Sequence, residues 1–160
     1  MDFPYQVVAL FAQAPKDGDF VYGGVNGWYP QLAIKRRFTV GESEQSTLLK
    51  IKQIADSTKP FKVHFNKAVK PEGMPVEIID VAPNGALEAL HEALFAGLGQ
   101  SKYPHREGAN YRPHMTISWK GSRVVDPTAF ENTDQLIDTI YALKDEADDS
   151  RILESFKLRG

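Results

Sequence analysis

Proton transfer near neutral pH calls for an imidazole or a thiolate, and this sequence offers no cysteine and four histidines, at positions 64, 91, 105 and 114. His114 stands in Pro113-His114-Met115-Thr116-Ile117-Ser118-Trp119, which reads as a strand. With a two-residue period, His114, Thr116 and Ser118 share one face, and Met115, Ile117 and Trp119 share the other. The apolar set is expected in the core, leaving an imidazole and two hydroxyls side by side. Such a face suits a solvated phosphate, because the hydroxyls donate to its oxygens and the imidazole moves protons.

The order aromatic, variable, Pro, polar, aliphatic, small, Ile occurs twice, in Trp28-Tyr29-Pro30-Gln31-Leu32-Ala33-Ile34 and in Tyr111-Arg112-Pro113-His114-Met115-Thr116-Ile117. Alternation gives the first copy a face of Gln31, Ala33, Lys35 and Arg37 and directs Arg36 elsewhere. Two similar halves around a central cleft would set the two faces opposite each other. Lys35 and Arg37 then either neutralise an anion or remain solvated strand-end cations. Tyr111, Trp28 and Tyr29, beside the two prolines, either stack on a base or pack locally. His64 shares a polar strand face with Lys62 and Asn66, open to a cleft or to solvent. His105 lies in the polar loop before the second motif, and such loops can border a cleft. His91 follows the apolar-stripe residue Leu90 and is expected on a helix surface.

The elements that must position these residues follow from periodicity and punctuation. Tyr5 to Gln13 reads as a strand, and the stretch containing Gly18, Gly23, Gly24 and Gly27 as a loop or a short second strand through Phe20 to Tyr22. Gln31 to Val40 alternates. Ser43 or Ser46 caps a helix with Leu48, Ile51, Ile54 and Ala55 on one stripe, ending near Thr58–Lys59 before Pro60. Phe61 to Val69 and Pro75 to Val81 flank a Pro71-Glu72-Gly73 turn as a hairpin. Pro83-Asn84 opens a second helix with Leu87, Leu90, Leu94 and Leu98 on one stripe and Gly97 and Gly99 near its end. After a polar loop from Gln100 to Asn110 comes the strand from Pro113 to Trp119. Asp126-Pro127 opens a short helix to about Asn132. Ile137 to Leu143, an acidic turn from Asp145 to Asp149, and Arg151 to Leu158 complete a single α+β domain over residues 1–160.

Composition narrows the function classes. Nineteen Lys and Arg against 21 Asp and Glu give a formal charge of −2, which argues against an extended nucleic-acid surface. No apolar run is long enough for a membrane span and no secretory signal is visible, so a cytoplasmic protein is expected. Without cysteine there is no disulfide framework and no Cys-type zinc site.

The paired motifs resemble those of the 2H phosphoesterase superfamily, also called the 2′–5′ RNA ligase or LigT-like family, whose signature is two His-x-Thr/Ser motifs. Pro113-His114-Met115-Thr116-Ile117 matches the second motif, and Trp28 to Ile34 occupies the place of the first. Element order carries the resemblance over nearly the whole chain, from Val7–Phe11 to Glu154–Leu158. It implies a bilobal, pseudo-two-fold α+β fold with antiparallel sheets around a central cleft and helices outside. It further implies a metal- and cofactor-independent site in which two histidines flank a phosphodiester, one taking and one giving a proton.

The departure from that pattern is Gln31 and Ala33 where the family has His and Thr. An amide orients a phosphate or a water but does not exchange protons near neutral pH. The resemblance therefore implies a monomeric protein that recognises a small nucleotide, a cyclic nucleotide or an RNA terminus. His114 and Thr116 are the candidate catalytic residues, and Gln31, Lys35, Arg37, Ser118, Tyr111, His64 and His105 are the candidate ligand contacts. It is either a diverged phosphodiesterase of cyclic or 2′–5′ phosphodiesters, with Gln31 and Ala33 arguing against full activity, or a non-catalytic nucleotide-binding or sequestering module.

Overall fold

The computed structural model describes residues 2–24 and 27–160, in which strands and helices follow one another largely as the periodicity predicts. The strands in chain order are β1 Tyr5–Leu10, β2 Tyr22–Gly24, β3 Gly27–Trp28, β4 Gln31–Phe38, β5 Phe61–Val69, β6 Ile78–Val81, β7 His114–Thr116, β8 Ser118–Trp119, β9 Ser122–Arg123, β10 Thr133–Ile137, β11 Thr139–Glu146 and β12 Asp149–Lys157. Helix α1 spans Glu44–Asp56 and α2 spans Gly85–Gly97.

Two four-stranded antiparallel sheets, ordered β12-β11-β1-β4 and β10-β5-β6-β7, form the two lobes. The strands carrying the two motifs, β4 and β7, are the outer strands of their sheets, and these edges meet. The fold therefore places the two motif strands against each other although some eighty residues separate them in sequence.

Both helices begin where the sequence says they should. Ser43 Oγ accepts from the Ser46 N–H at 3.0 Å while Ser46 Oγ accepts from the Ser43 N–H at 3.2 Å, a reciprocal capping box. Asn84 Oδ1 accepts from the Leu87 N–H at 2.9 Å. Each cap contributes about 1 kcal/mol to its helix. The helices pack on one another and their buried stripes, Ile51 and Ala55 on α1 and Leu87, Leu90 and Leu94 on α2, join the sheets in one core. No helix among the described residues is long and apolar enough to cross a membrane.

The structure corrects several sequence expectations. The expected strand from Pro113 to Trp119 divides into β7 and β8, because the N–H groups of Ile117 and Ser118 both donate to the Glu77 carbonyl and the chain turns away into the β8–β9 hairpin. The short helix after Asp126 is a single 3-10 turn, Pro127–Ala129. Periodicity does not predict β10: of Thr-Asp-Gln-Leu-Ile only Ile137 is buried, so the strand exists through its pairing with β5. The glycine-rich stretch forms the β2–β3 hairpin, with Val25 and Asn26 outside the described residues.

One backbone approach fixes the loop beneath the site. A Cβ at Gly99 would lie 1.8 Å from the Thr39 carbonyl oxygen, so only glycine permits this contact. From there the Thr39 N–H donates to the Gln100 carbonyl at 3.0 Å and the Lys102 N–H to that of Arg37 at 2.9 Å, which lays the start of the loop along the end of β4.

Candidate functional site

Alternation holds at the start of β4 and then fails twice. Val8 pairs with Ala33 and Val7 with Lys35, so two residues of β4 oppose one of β1, and a second irregularity separates Val7/Lys35 from Tyr5/Phe38. Bulges of this kind re-aim side chains. Leu32, Ile34 and Lys35 consequently all lie buried, whereas Gln31, Ala33, Arg36 and Arg37 all line the cleft. The expectation that Lys35 faces the cleft and Arg36 points elsewhere is thus reversed.

Lys35 is fully buried and its Nζ donates to both carboxylate oxygens of Glu107, at 2.9 and 2.7 Å, and to Ser101 Oγ at 2.8 Å. Burial lowers the Lys35 pKa, and Glu107 opposes that shift. The pair anchors the loop between α2 and β7 behind β4. Arg37 does line the cleft, as expected, and is ion-paired to Asp145. Arg36 is half-buried over the Tyr103 ring, with 5.5 Å from guanidinium carbon to centroid, and makes no ion pair among the described residues. Burial, reinforced by Arg106, disfavours its charge, and the more distant carboxylate of Glu107 opposes that shift. A half-buried guanidinium so placed gains from any anion entering the cleft.

From the opposite lobe β7 presents His114 and Thr116 to the same cavity, of about 240 Å³, while Met115 enters the core as expected. His114 Nδ1 lies 2.9 Å from the Arg112 carbonyl oxygen, which can only accept, so Nδ1 carries the hydrogen and Nε2 remains the basic nitrogen. Burial, with a further contribution from Arg36, holds the His114 pKa below the ordinary histidine value of 6.5; the Arg112 carbonyl and Asp80 act the other way. Neutral imidazole therefore prevails at neutral pH, ready to take a proton. Arg112 also lines the cleft, held by two bonds to Asp80 at 2.9 and 2.8 Å.

Gln31 Nε2 donates to Tyr22 Oη at 2.6 Å, and Gln31 Oε1 is buried with no partner among the described residues. Tyr22, Gln31, Arg37, Thr116 and Trp119 continue from this cavity into an adjoining recess of about 770 Å³ that Trp28 and Lys120 also line. Alternation predicts Trp119 in the core; the β8 turn instead sends it to the cleft mouth, where it is 48% exposed. The same turn takes Ser118 out of the cleft lining, and its Oγ accepts from the Glu77 N–H at 2.8 Å.

Tyr111 lines the cleft as an anchored residue, its hydroxyl donating to the Ala33 carbonyl at 2.7 Å and its ring stacked on His91. Burial drives its pKa upward. His91 is buried, correcting the helix-surface expectation: Nδ1 lies 2.7 Å from the Ile34 carbonyl and Nε2 accepts from the Gly108 N–H at 2.9 Å. Tyr29 is buried and its hydroxyl donates to Asp19 at 2.8 Å. His64 stands on the solvent face of β5, 2.7 Å from Asp134, because Val63 and Phe65 take the core side. His105 is exposed in a 3-10 turn, and neither His64 nor His105 lines the cleft. Among the described residues no three His, Asp or Glu side chains group as a metal site would require.

Sequence reasoning missed Tyr22, Gln6, Arg36, Tyr103, Arg112 and Trp119 as cleft residues. Arg112 was legible as part of the second motif. Gln6 is a regular position of β1, a polar residue in an otherwise apolar strand, and the rest reach the cleft through a bulge, a hairpin or a loop, none of which leaves a periodic mark.

Comparison with known proteins finds counterparts of the sequence and of the fold. The model of the 2′-5′ RNA ligase superfamily matches residues 18–147. No curated protein sequence matches the chain. Among solved structures, TT0787 of Thermus thermophilus is similar with a TM-score of 0.65 at 17% identity, covering 98% of both chains. E. coli LigT complexed with NADP+ gives 0.65 at 14% identity over 100% of both chains, and LigT complexed with 3′-AMP gives 0.60 at 12% over 100% of both. At these identities the likeness is one of fold.

Proposed function

The chain belongs to the 2′-5′ RNA ligase superfamily, and from that premise we propose that its cleft recognises a small nucleotide, a cyclic nucleotide or an RNA terminus through one phosphodiester. The observation that carries this reading is the convergence of Gln31 from β4 with His114 and Thr116 from β7 on one cavity ringed by Arg36, Arg37 and Arg112. Thr116 donates its hydroxyl to a phosphoryl oxygen, the guanidiniums offset its charge, and the bare Nε2 of His114 takes a proton from an attacking hydroxyl or water. The solved complexes of LigT with NADP+ and with 3′-AMP support a nucleotide as the class of ligand. The reaction is hydrolysis of a cyclic or 2′–5′ phosphodiester, by a monomer in the cytoplasm.

The test is a panel of 2′,3′-cyclic, 3′,5′-cyclic, 2′–5′-linked and cyclic-dinucleotide substrates, read by product formation, alongside 3′-AMP binding by calorimetry. Cleavage of one member, abolished by His114→Ala, is the expected result. A second reading rests on Gln31 and Ala33 in the first motif: a module that binds or sequesters a nucleotide. Saturable binding without product selects it. Absence of both binding and cleavage overturns the phosphate site.

A further inference from the structure

A histidine replaced by glutamine leaves the question of what protonates the leaving oxygen. We infer that Tyr22 supplies this proton, with Gln31 as its positioning residue. This inference rests on the phosphodiesterase reading above.

Tyr22, on the β2–β3 hairpin that packs against β12 of the first lobe, lines the same cavity as His114 on β7 of the second. Gln31, in the first-motif place, does not stop at the cleft; its amide donates to Tyr22 Oη at 2.6 Å. With the Gln31 amide oriented so that Nε2 faces the phenol, the phenol oxygen is the acceptor in that bond and the phenol hydrogen points elsewhere, with no acceptor among the described residues. The amide N–H also stabilises negative charge that builds on the oxygen as the proton leaves. The exchangeable proton is thus displaced by one residue, from the first-motif position to the side chain that this position holds.

Tyr22 is built into its place. Its N–H donates to Asp149 Oδ1 at 2.8 Å, the preceding Val21 is fully buried and donates its N–H to the Ser150 carbonyl at 3.0 Å, and its ring lies 4.7 Å from that of Trp28. Such anchoring holds a general acid in reach of one oxygen rather than many.

In the step, the water oxygen bonds to phosphorus as His114 Nε2 takes its proton. The bond from phosphorus to the leaving ribose oxygen breaks, the electron pair stays on that oxygen, and the Tyr22 proton is delivered to it. A proton then passes through solvent from the imidazolium to the phenolate. The sum is phosphodiester plus water giving phosphomonoester plus alcohol.

The test compares the full-length protein with Tyr22→Phe on a 2′,3′-cyclic mononucleotide and on the p-nitrophenyl ester of a 3′-nucleotide, with 3′-AMP affinity measured in parallel. A general acid matters for an alkoxide leaving group and little for nitrophenolate. Tyr22→Phe should lower kcat on the cyclic substrate by about 10²–10⁴-fold, lose much less on the p-nitrophenyl ester, and keep 3′-AMP affinity. The double change Gln31→His with Ala33→Thr should make the cyclic activity insensitive to Tyr22→Phe. Equal losses on both substrates, or a cyclic-substrate kcat held within a few-fold, overturn the assignment while leaving the phosphate site standing. A wild-type protein that binds 3′-AMP but cleaves nothing overturns the assignment and selects the sequestering reading. One that neither binds nor cleaves overturns both.

Discussion

Tyr111 lies flat on His91, with ring centroids 3.9 Å apart and planes 9° from parallel. The stack joins three segments: α2 through His91, β4 through the Ile34 and Ala33 carbonyls, and the loop before β7 through Gly108 and Tyr111. A histidine that reads as a surface group is thus the joint holding the second motif to the first. His91→Leu strands the Ile34 carbonyl and the Gly108 N–H, at about 1–3 kcal/mol each. Chemical denaturation should show that loss, with His91→Gln falling between wild type and His91→Leu.

The Lys35–Glu107 pair, with both side chains fully buried, makes a second stability prediction. Removing one partner leaves a buried charge without compensation, so Lys35→Met or Glu107→Gln should cost about 3–5 kcal/mol. The double change Lys35→Met with Glu107→Leu should cost less than the Lys35→Met single change. A double-mutant cycle by urea denaturation measures the coupling directly.

Arg36 and Arg37 separate by pairing. Arg36 makes no ion pair among the described residues, whereas Arg37 is held by Asp145. Arg36→Ala should weaken 3′-AMP binding about tenfold, equivalent to roughly 1.4 kcal/mol. Arg37→Ala, which also releases Asp145 as a free anion, should weaken it further at low salt. Calorimetry at two ionic strengths distinguishes the two effects.

The lowered pKa of His114 sets the sign of two pH effects. As a base the imidazole is neutral at pH 7, so kcat/KM should fall on acidification at a lower pH than an ordinary histidine would set. Stability follows linkage: the unfolded chain takes up the proton first as pH falls below 6.5, so the fold loses stability on acidification until the folded-state pKa is passed. His114→Gln should reduce this contribution to the slope between pH 7 and 5. Rate profiles and denaturation at stepped pH check the two halves independently.

Fold and site were legible to different depths for physical reasons. Helix caps at Ser43 and Asn84, apolar stripes on α1 and α2, and strand alternation in β5 and β7 are local consequences of residue type and could be read directly. His114 and Thr116 were found the same way, since a period of two leaves them opposite Met115. Lys35 and Arg36 were exchanged because a bulge is a property of two strands together, and nothing in Lys35-Arg36-Arg37 records β1. Tyr22 and Trp119 arrive by hairpins whose direction depends on tertiary pairing. His91 illustrates the converse, a polar side chain at the border of an apolar stripe that is buried because two backbone groups need it.

The irregular pairing of β4 with β1 acts on this strand as an offset in a reading frame. Removing Lys35 by deletion would shift Arg36 and Arg37 one place relative to β1 and bring a guanidinium opposite Glu107, so the cleft would lose a cation while the buried carboxylate kept one. Substitution at a single position cannot reproduce that exchange. The charge pattern of the cleft is therefore written in strand length as much as in residue identity, and insertions or deletions in β4 should redirect its ligand preference more than point changes do.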